Sequence, residues 1–304
     1  MNEIYHIETI SELNKLLNQE KPKHPLVSII DFSKVQSLDE TDVKITTGFY
    51  SIMLKNSHCN KLKYGRENFD FQEGTLTFFS PKRAASIEDD ESAENNEMAG
   101  WGLFFHPDLI RRTSLTSKMK DYSFFSYGLN EALHLSDKEK LTLDDCVAKI
   151  NIEISQNIDN HSQNLIVSNI ELLLNYCMRY YDRQFITRKN SNQDILVKFE
   201  KVLAEYFNSD SLKSLGIPTV KYCAEKLFLS PNYLSDLLKK ETGKNTQDHI
   251  HIYLIEEAKN SLLSTNATVS EIAYQLGFDY PQYFSKLFKS KTGITPAEYR
   301  SLNC

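Results

Sequence analysis

Thr219-Val-Lys-Tyr-Cys-Ala-Glu-Lys-Leu-Phe-Leu-Ser-Pro-Asn-Tyr-Leu-Ser-Asp-Leu-Leu-Lys-Lys-Glu-Thr-Gly243 and Thr268-Val-Ser-Glu-Ile-Ala-Tyr-Gln-Leu-Gly-Phe-Asp-Tyr-Pro-Gln-Tyr-Phe-Ser-Lys-Leu-Phe-Lys-Ser-Lys-Thr-Gly293 are two versions of one phrase. Thr219, Val220, Ala224 and Leu227 match Thr268, Val269, Ala273 and Leu276. One inserted residue later, Pro231, Tyr233, Ser235, Leu237, Lys239, Thr242 and Gly243 match Pro281, Tyr283, Ser285, Leu287, Lys289, Thr292 and Gly293. Each copy reads as helix, tight turn, helix. In the first, Ser230-Pro231 is a strong helix start, because serine caps open backbone N–H groups and proline suits the first helical position. Leu234, Leu237 and Leu238 then share an inward face, and Asn232, Ser235, Asp236 and Lys239 an outward one. The second copy turns Phe284, Leu287 and Phe288 inward and Gln282, Ser285, Lys286 and Lys289 outward. Gly243 and Gly293 follow as helix stops, and Thr268-Val-Ser-Glu271 is a capping box. Ala224 and Ala273 are small where the helices of each unit approach. Gly277 suits the tight turn of the second copy, where Phe228 stands in the first.

A helix-turn-helix unit lays its second helix in the DNA major groove, and two units on one chain reach two grooves about one turn apart, roughly 34 Å. Side-chain chemistry then distributes roles. Asn232 or Gln282 can bond an adenine edge bidentately and Lys286 a guanine edge, while Ser235 and Ser285 are permissive. Lys239, Lys240, Lys289 and Lys291 lie farther along their helices and suit phosphate contacts. Asp236 costs affinity beside phosphates unless it accepts from a cytosine amino group or pairs with a neighbouring lysine. The 304 residues leave room for about two domains. Formal charge is −6, but residues 210–304 hold 11 Lys and Arg against 10 Asp and Glu, leaving 24 against 31 for residues 1–209. A nucleic-acid footprint is therefore a local stripe and not a basic body.

Upstream, residues 1–22 carry a short helical pattern (Ile10, Leu13, Leu16, Leu17) expected to pack loosely or outside the main body. From Leu26 to about Phe105, short β-branched and aromatic runs alternate with polar turns, which predicts an all-β sandwich or barrel. Ile87–Glu97 reads as an acidic loop, and His106-Pro107 opens a helix off the last strand. Residues 137–158 and 162–185 show helical periodicity, with stripes of Leu141, Cys146, Ile150 and Ile154, then Leu165, Ile166, Ile170, Leu173, Leu174 and Cys177. That pair either completes the β domain or forms a dimer interface. Arg188–Asn192 is a polar break, and Asp194–Phe207 is a helix entering the C-terminal domain. Five dispersed cysteines without a CxxC pair argue against a disulfide framework or zinc site, and Cys223, in register with Ile272, reads as a small core residue. The absence of a signal-peptide pattern and of an 18-residue apolar run predicts a soluble cytoplasmic protein.

The stretch Ile272-Ala-Tyr-Gln-Leu-Gly-Phe-Asp-Tyr-Pro-Gln-Tyr-Phe-Ser-Lys-Leu-Phe-Lys-Ser-Lys-Thr-Gly-Ile-Thr-Pro-Ala-Glu-Tyr-Arg300 gives residues 210–304 a resemblance to the DNA-binding domain of the AraC/XylS family of bacterial transcription regulators. The resemblance implies seven helices, with units at 219–243 and 268–293 joined by a central helix at about 245–263. It puts base-facing positions at Asn232, Ser235, Asp236, Gln282, Ser285 and Lys286. Two departures stand out. His251-Ile-Tyr-Leu254 occupies a stretch that often carries arginines, and Asp236 sits where a basic or neutral residue is usual. Both weaken the grip of the first unit and shift specificity to the second.

Gly100-Trp-Gly-Leu-Phe-Phe-His-Pro-Asp-Leu109 resembles, more faintly, the end of the family's cupin-like sensing barrel. The fold class expected is α+β. A cupin-like β-barrel with flanking helices would span 1–185 (strands about 26–105, helices about 137–185), with a linker at 186–192 and an all-α double helix-turn-helix domain over 193–304. The function implied is sequence-specific transcriptional regulation, by family habit activation, with the N-terminal domain answering a small molecule; the alternative is an N-terminal domain that binds a partner protein. Double-stranded DNA and RNA polymerase are the implied partners, in a homodimer with no membrane attachment and no cofactor. Phe49, Phe78, Trp101 and Phe104 are candidates to line a ligand cavity, against the plainer reading that they fill a core. The rival from another class is a cupin metalloenzyme fused to a DNA-binding tail, which needs His-x-His with a later Glu and His. The β region offers His24, His58 and His106 singly, and His249-Ile-His251 lies on a helix, where residues two apart diverge. No Gly-rich phosphate loop or Gly-x-Ser-x-Gly motif is present, so no enzyme activity is expected.

Overall fold

The structure, a computed structural model, describes residues 4–35, 43–56, 63–64, 67–68, 74–87, 99–157, 159, 161–187, 189–209 and 211–303. The chain divides into two compact units, Met1–Ile186 and Thr187–Cys304. In the first, the order is β1 (Ile4–Ile7), α1 (Ile10–Leu16), β2 (Val27–Asp31), β3 (Val43–Thr47), β4 (Tyr50–Asn56), β5 (Lys63–Tyr64), β6 (Glu67–Asn68), β7 (Thr75–Phe79), β8 (Ala84–Ile87), β9 (Ala99–Phe105), α2 (Pro107–Ile110), α3 (Ser114–Lys118), β10 (Leu133–His134), α4 (Asp137–Ser155) and α5 (Ser162–Thr187).

The expected barrel is corrected to separate sheets, two larger ones and the short β5-β6 pair. Strands β10-β7-β4-β9-β2 form one antiparallel sheet, and β1-β3-β8 form a smaller one in which β1 runs parallel to β3. Among the described residues no strand of one sheet pairs with a strand of the other, so the barrel does not close. The chain crosses between sheets at Gly48-Phe49, splitting the run from Ile45 to Leu54 into β3 and β4. The expected loop at 87–97 lies outside the described residues except Ile87, which ends β8, and His58 also lies outside.

Alternation along the large sheet assigns its two faces. Ile52, Leu103 and Phe78 share one face by register, as do Leu54, Trp101 and Leu76. That face receives the helices. Phe78 packs on Phe124 with ring centroids 4.4 Å apart, Tyr50 on Phe125 at 5.1 Å, and Trp101 Nε1 donates to Asp144 of α4 at 2.7 Å. The opposite face carries Ile30 and Phe104, which join Ile7, Ile10, Leu13 and Phe49 in one buried cluster. Helix α1 is therefore part of the core and not a loose appendage. Thr9 and Glu12 close its capping box, and Ile10 and Leu13 are buried.

The four cavity candidates accordingly separate. Phe49 and Phe104 meet edge to face on one side of the sheet, while Phe78 and Trp101 serve the other. Among the described residues they line no common cavity; burying the rings of Phe49, Phe78 and Phe104 contributes about 1.5–3 kcal/mol each to folding, while Trp101 is half-buried. A recess beside Phe78, bounded by Thr77, Phe79, Phe124, Tyr127 and Tyr181, has room for about one water molecule.

Helices α4 and α5 bury Leu143, Cys146, Val147, Ile150 and Ile154, and Ile166, Ile170, Leu173, Leu174 and Cys177. Leu141 and Leu165, expected inward, are exposed, because at ~100° per residue both fall outside the buried stripe of their helices. Helix α5 also grips the short edge strand β10. Gln184 accepts from His134 N–H at 2.9 Å and donates to Ala132 O at 3.1 Å, and Arg183 donates to His134 O at 2.7 Å. These bonds satisfy a sheet edge that would otherwise be open. Among the described residues no helix is long and apolar enough to cross a membrane.

Candidate nucleic-acid interface

The second unit opens with α6 (Lys189–Phe207), so the polar break expected near 188–192 is largely helical. It continues as α7 (Ser211–Leu215), α8 (Val220–Lys226), α9 (Pro231–Thr242), α10 (Thr246–Ser264), α11 (Val269–Gln275), α12 (Pro281–Thr292) and α13 (Pro296–Asn303). From Ser211 onward that makes seven helices among the described residues, with α10 central. Helices α8 and α9 form the first helix-turn-helix unit, α11 and α12 the second.

Local chemistry sets each boundary. Thr219 accepts from Tyr222 N–H at 3.1 Å, and Ser230 from Tyr233 N–H at 3.3 Å. Thr268 and Glu271 close the capping box expected for α11, with bonds of 3.2 and 2.6 Å. Gly243 and Gly293 end α9 and α12 in the left-handed conformation. The two turns differ. Gly277 has φ +80°, and a Cβ there would come within 2.9 Å of Leu212 O. Phe228 takes φ 57° in the first turn with its side chain 86% exposed, a conformation unfavourable for a bulky L-residue.

The inward faces hold the unit together. Leu234, Leu237 and Leu238 are buried on α9, together with Tyr233, which the apolar stripe did not include. Phe284 and Phe288 are buried on α12, and Leu287 is half-buried. The α12 residues join Leu254, Ile255, Ala258, Leu262, Ile272 and Ala273 in one core around the central helix. Arg300 of α13 donates to Leu262 O at 2.9 Å and Ala267 O at 2.7 Å, closing carbonyls at and just beyond the end of α10.

Of the residues read as outward, Asn232, Lys239 and Lys240 on α9, and Gln282, Lys286, Lys289 and Lys291 on α12, are exposed. Ser235, Asp236 and Ser285 are half-buried. The Ser235 hydroxyl donates to buried Thr246 at 3.1 Å, which ties it to the central helix. Lys291 Nζ donates to Asp248 at 3.0 Å, and that bond holds the Asp248 carboxyl below the usual range. His249 and His251 are half-buried. His249 Nε2 lies 2.7 Å from Thr242 Oγ1, and His251 Nε2 lies 2.8 Å from Gln247 Nε2. Burial lowers the pKa of both rings, with Lys244 adding to the effect at His249 and Lys291 at His251. Among the described residues no group of three His, Cys, Asp or Glu side chains is placed to hold a metal ion. Sequence periodicity missed the exposure of Tyr280 and Tyr283, since aromatic residues read as core wherever they fall; comparing the copies offers a signal at Tyr280, which stands opposite Ser230, and none at Tyr283, which stands opposite buried Tyr233.

A family described as a helix-turn-helix domain matches residues 223–301. The transcriptional regulatory protein YesN of Bacillus subtilis is 35% identical over 109 residues, covering 35% of this chain and 28% of that protein. The xylose operon regulatory protein of Escherichia coli K12 is 30% identical over 98 residues, covering 32% of this chain and 24% of its own length. Among solved structures, the C-terminal domain of the response regulator yesN from Fusobacterium nucleatum is 34% identical. The match covers 35% of this chain and 98% of that one, with a TM-score of 0.31. The chain thus spans well under half the length of these curated relatives, and the likeness concerns the C-terminal unit. The C-terminal unit thus carries a helix-turn-helix domain of the AraC type, similar to those of these transcriptional regulators.

Proposed function

We propose that the chain is a sequence-specific DNA-binding transcriptional regulator that reads two successive major-groove blocks, with the second unit supplying most of the base discrimination. The observation that carries this is the register-matched pair of units, which exposes Asn232 on α9 and Gln282 and Lys286 on α12 at corresponding outward faces. Gln282 pairs with an adenine edge and Lys286 with a guanine edge, while Ser285 tolerates either. On the first unit Asn232 reads, Ser235 is held by Thr246, and Asp236 opposes the phosphates. Lys239, Lys240 and Lys289 grip phosphates, and Lys291 divides its charge between DNA and Asp248.

The N-terminal unit sets how the C-terminal unit engages DNA, through a homodimer that recruits RNA polymerase and activates transcription. A partner protein, not a small molecule, is its preferred input. The packed rings of Phe49, Phe78 and Phe104, and the Trp101–Asp144 bond, support that choice, since among the described residues they leave little interior room. Selection of duplex sites from a random pool by the full chain tests the reading. Enrichment of two blocks about 10 base pairs apart is expected; a pool that enriches no motif would overturn it.

A further inference from the structure

In the register of the two units, Tyr283 corresponds to Tyr233 and Tyr280 to Ser230. Tyr233 is 2% exposed, whereas Tyr283 is 65% and Tyr280 60% exposed. Ser230 caps its helix, whereas Tyr280 stands at the start of α12 and makes no side-chain cap bond. At both places the first unit has a residue that serves the fold and the second a ring facing solvent, by a change of residue at Tyr280 and by a change of surroundings alone at Tyr283. The two rings meet edge to face, with centroids 5.8 Å apart, so each limits the other's freedom. A helix turns ~100° per residue, which sets Tyr283 beside Lys286 and Ser290 at the margin of the outward face. The margin of a reading helix faces the groove wall, where phosphates lie and where tyrosine hydroxyls bond them.

We propose that Tyr283, buttressed by Tyr280, is an additional DNA contact whose hydroxyl donates to a backbone phosphate bordering the block read by Gln282 and Lys286. This rests on the DNA-reading assignment above. It carries a signature that a lysine contact lacks. Tyrosine is not a cation and displaces no counterion, so its share of affinity is independent of salt.

The test titrates the full chain against a duplex carrying its selected site, at roughly 50 and 200 mM salt. Tyr283→Phe, which keeps the ring, is expected to weaken binding roughly tenfold by the same factor at both salts, as for a lost hydrogen bond to a charged group. The preferred sequence should stay the same, and Tyr280→Ala should show a smaller loss. Wild-type affinity in Tyr283→Phe overturns the proposal. So does a changed site preference, which makes the contact a base contact, and so does intact DNA binding with a lost promoter response, which assigns the face to a protein. If the wild-type chain selects no site, the DNA-reading assignment itself fails, a distinct outcome.

Discussion

The two helix-turn-helix units share a sequence template and use it differently. In the first, a serine caps α9, Tyr233 is buried, Ser235 is tied to Thr246, and the turn passes through a strained Phe228. In the second, Tyr280 leaves α12 without a side-chain cap, Tyr283 faces solvent, and Gly277 makes the turn at ease. Equivalent positions thus serve packing in one copy and exposure in the other. Repetition in sequence specifies the backbone plan; how each side chain is spent depends on what packs around the copy.

The largest effects fall on base reading. Gln282→Ala or Lys286→Ala should relax preference within one block by about 1–3 kcal/mol, and Asn232→Ala should cost less in the other block. Site selection with each variant checks this, and a larger loss from Asn232→Ala reverses the comparison. Next come the turns. Gly277→Ala should destabilise the chain by more than about 1 kcal/mol, because φ +80° and the crowding at Leu212 O both oppose a side chain. Phe228→Gly should be neutral or stabilising by up to about 1 kcal/mol, since relief of the left-handed strain offsets the added chain entropy. Denaturant unfolding reads both, and a costly Phe228→Gly would show that its side chain holds the first turn.

Smaller again is the response to salt. Lys239→Ala and Lys289→Ala should each lower the slope of log affinity against log salt by about 1. Lys291→Ala should lower it less, since its ammonium already serves Asp248. Equal slopes for Lys289→Ala and Lys291→Ala would show that the Asp248 bond gives way on DNA. The smallest effect is on pH. His249 and His251 have folded pKa values depressed below the unfolded value near 6.5, so the folded state resists their protonation. Stability should fall as pH drops through about 6.5 toward 5, above the range where carboxylates titrate. Replacing both histidines by glutamine should flatten that decline, and an unchanged profile would remove these rings from the account.

Much of the C-terminal unit was legible in sequence because its determinants are local. Capping by Thr219, Ser230 and Thr268, prolines at helix starts and glycines at stops act within a few residues, and the structure places helix ends there. The reading face was legible in outline, but the Ser235–Thr246 and Lys291–Asp248 bonds join positions 11 and 43 residues apart, which periodicity cannot show. The N-terminal unit was less legible for the same reason. Strands β2, β3, β4, β7 and β9 were visible as apolar runs while β1, β8 and β10 were not, and whether the strands close a barrel depends on pairing between distant segments, such as β1 with β3 across the intervening α1 and β2. Phe49, Phe78, Trp101 and Phe104 looked alike in sequence, and only the crossing at Gly48-Phe49 and the alternation of β7 and β9 assign them to opposite faces.

The most direct test measures the affinity of the full chain for its selected site and for the same site with either block scrambled. Variants Asn232→Ala and Gln282→Ala identify which block each unit reads. The account predicts that scrambling the block under α12 costs clearly more affinity than scrambling the block under α9. Equal losses, or a larger loss for the α9 block, would contradict it.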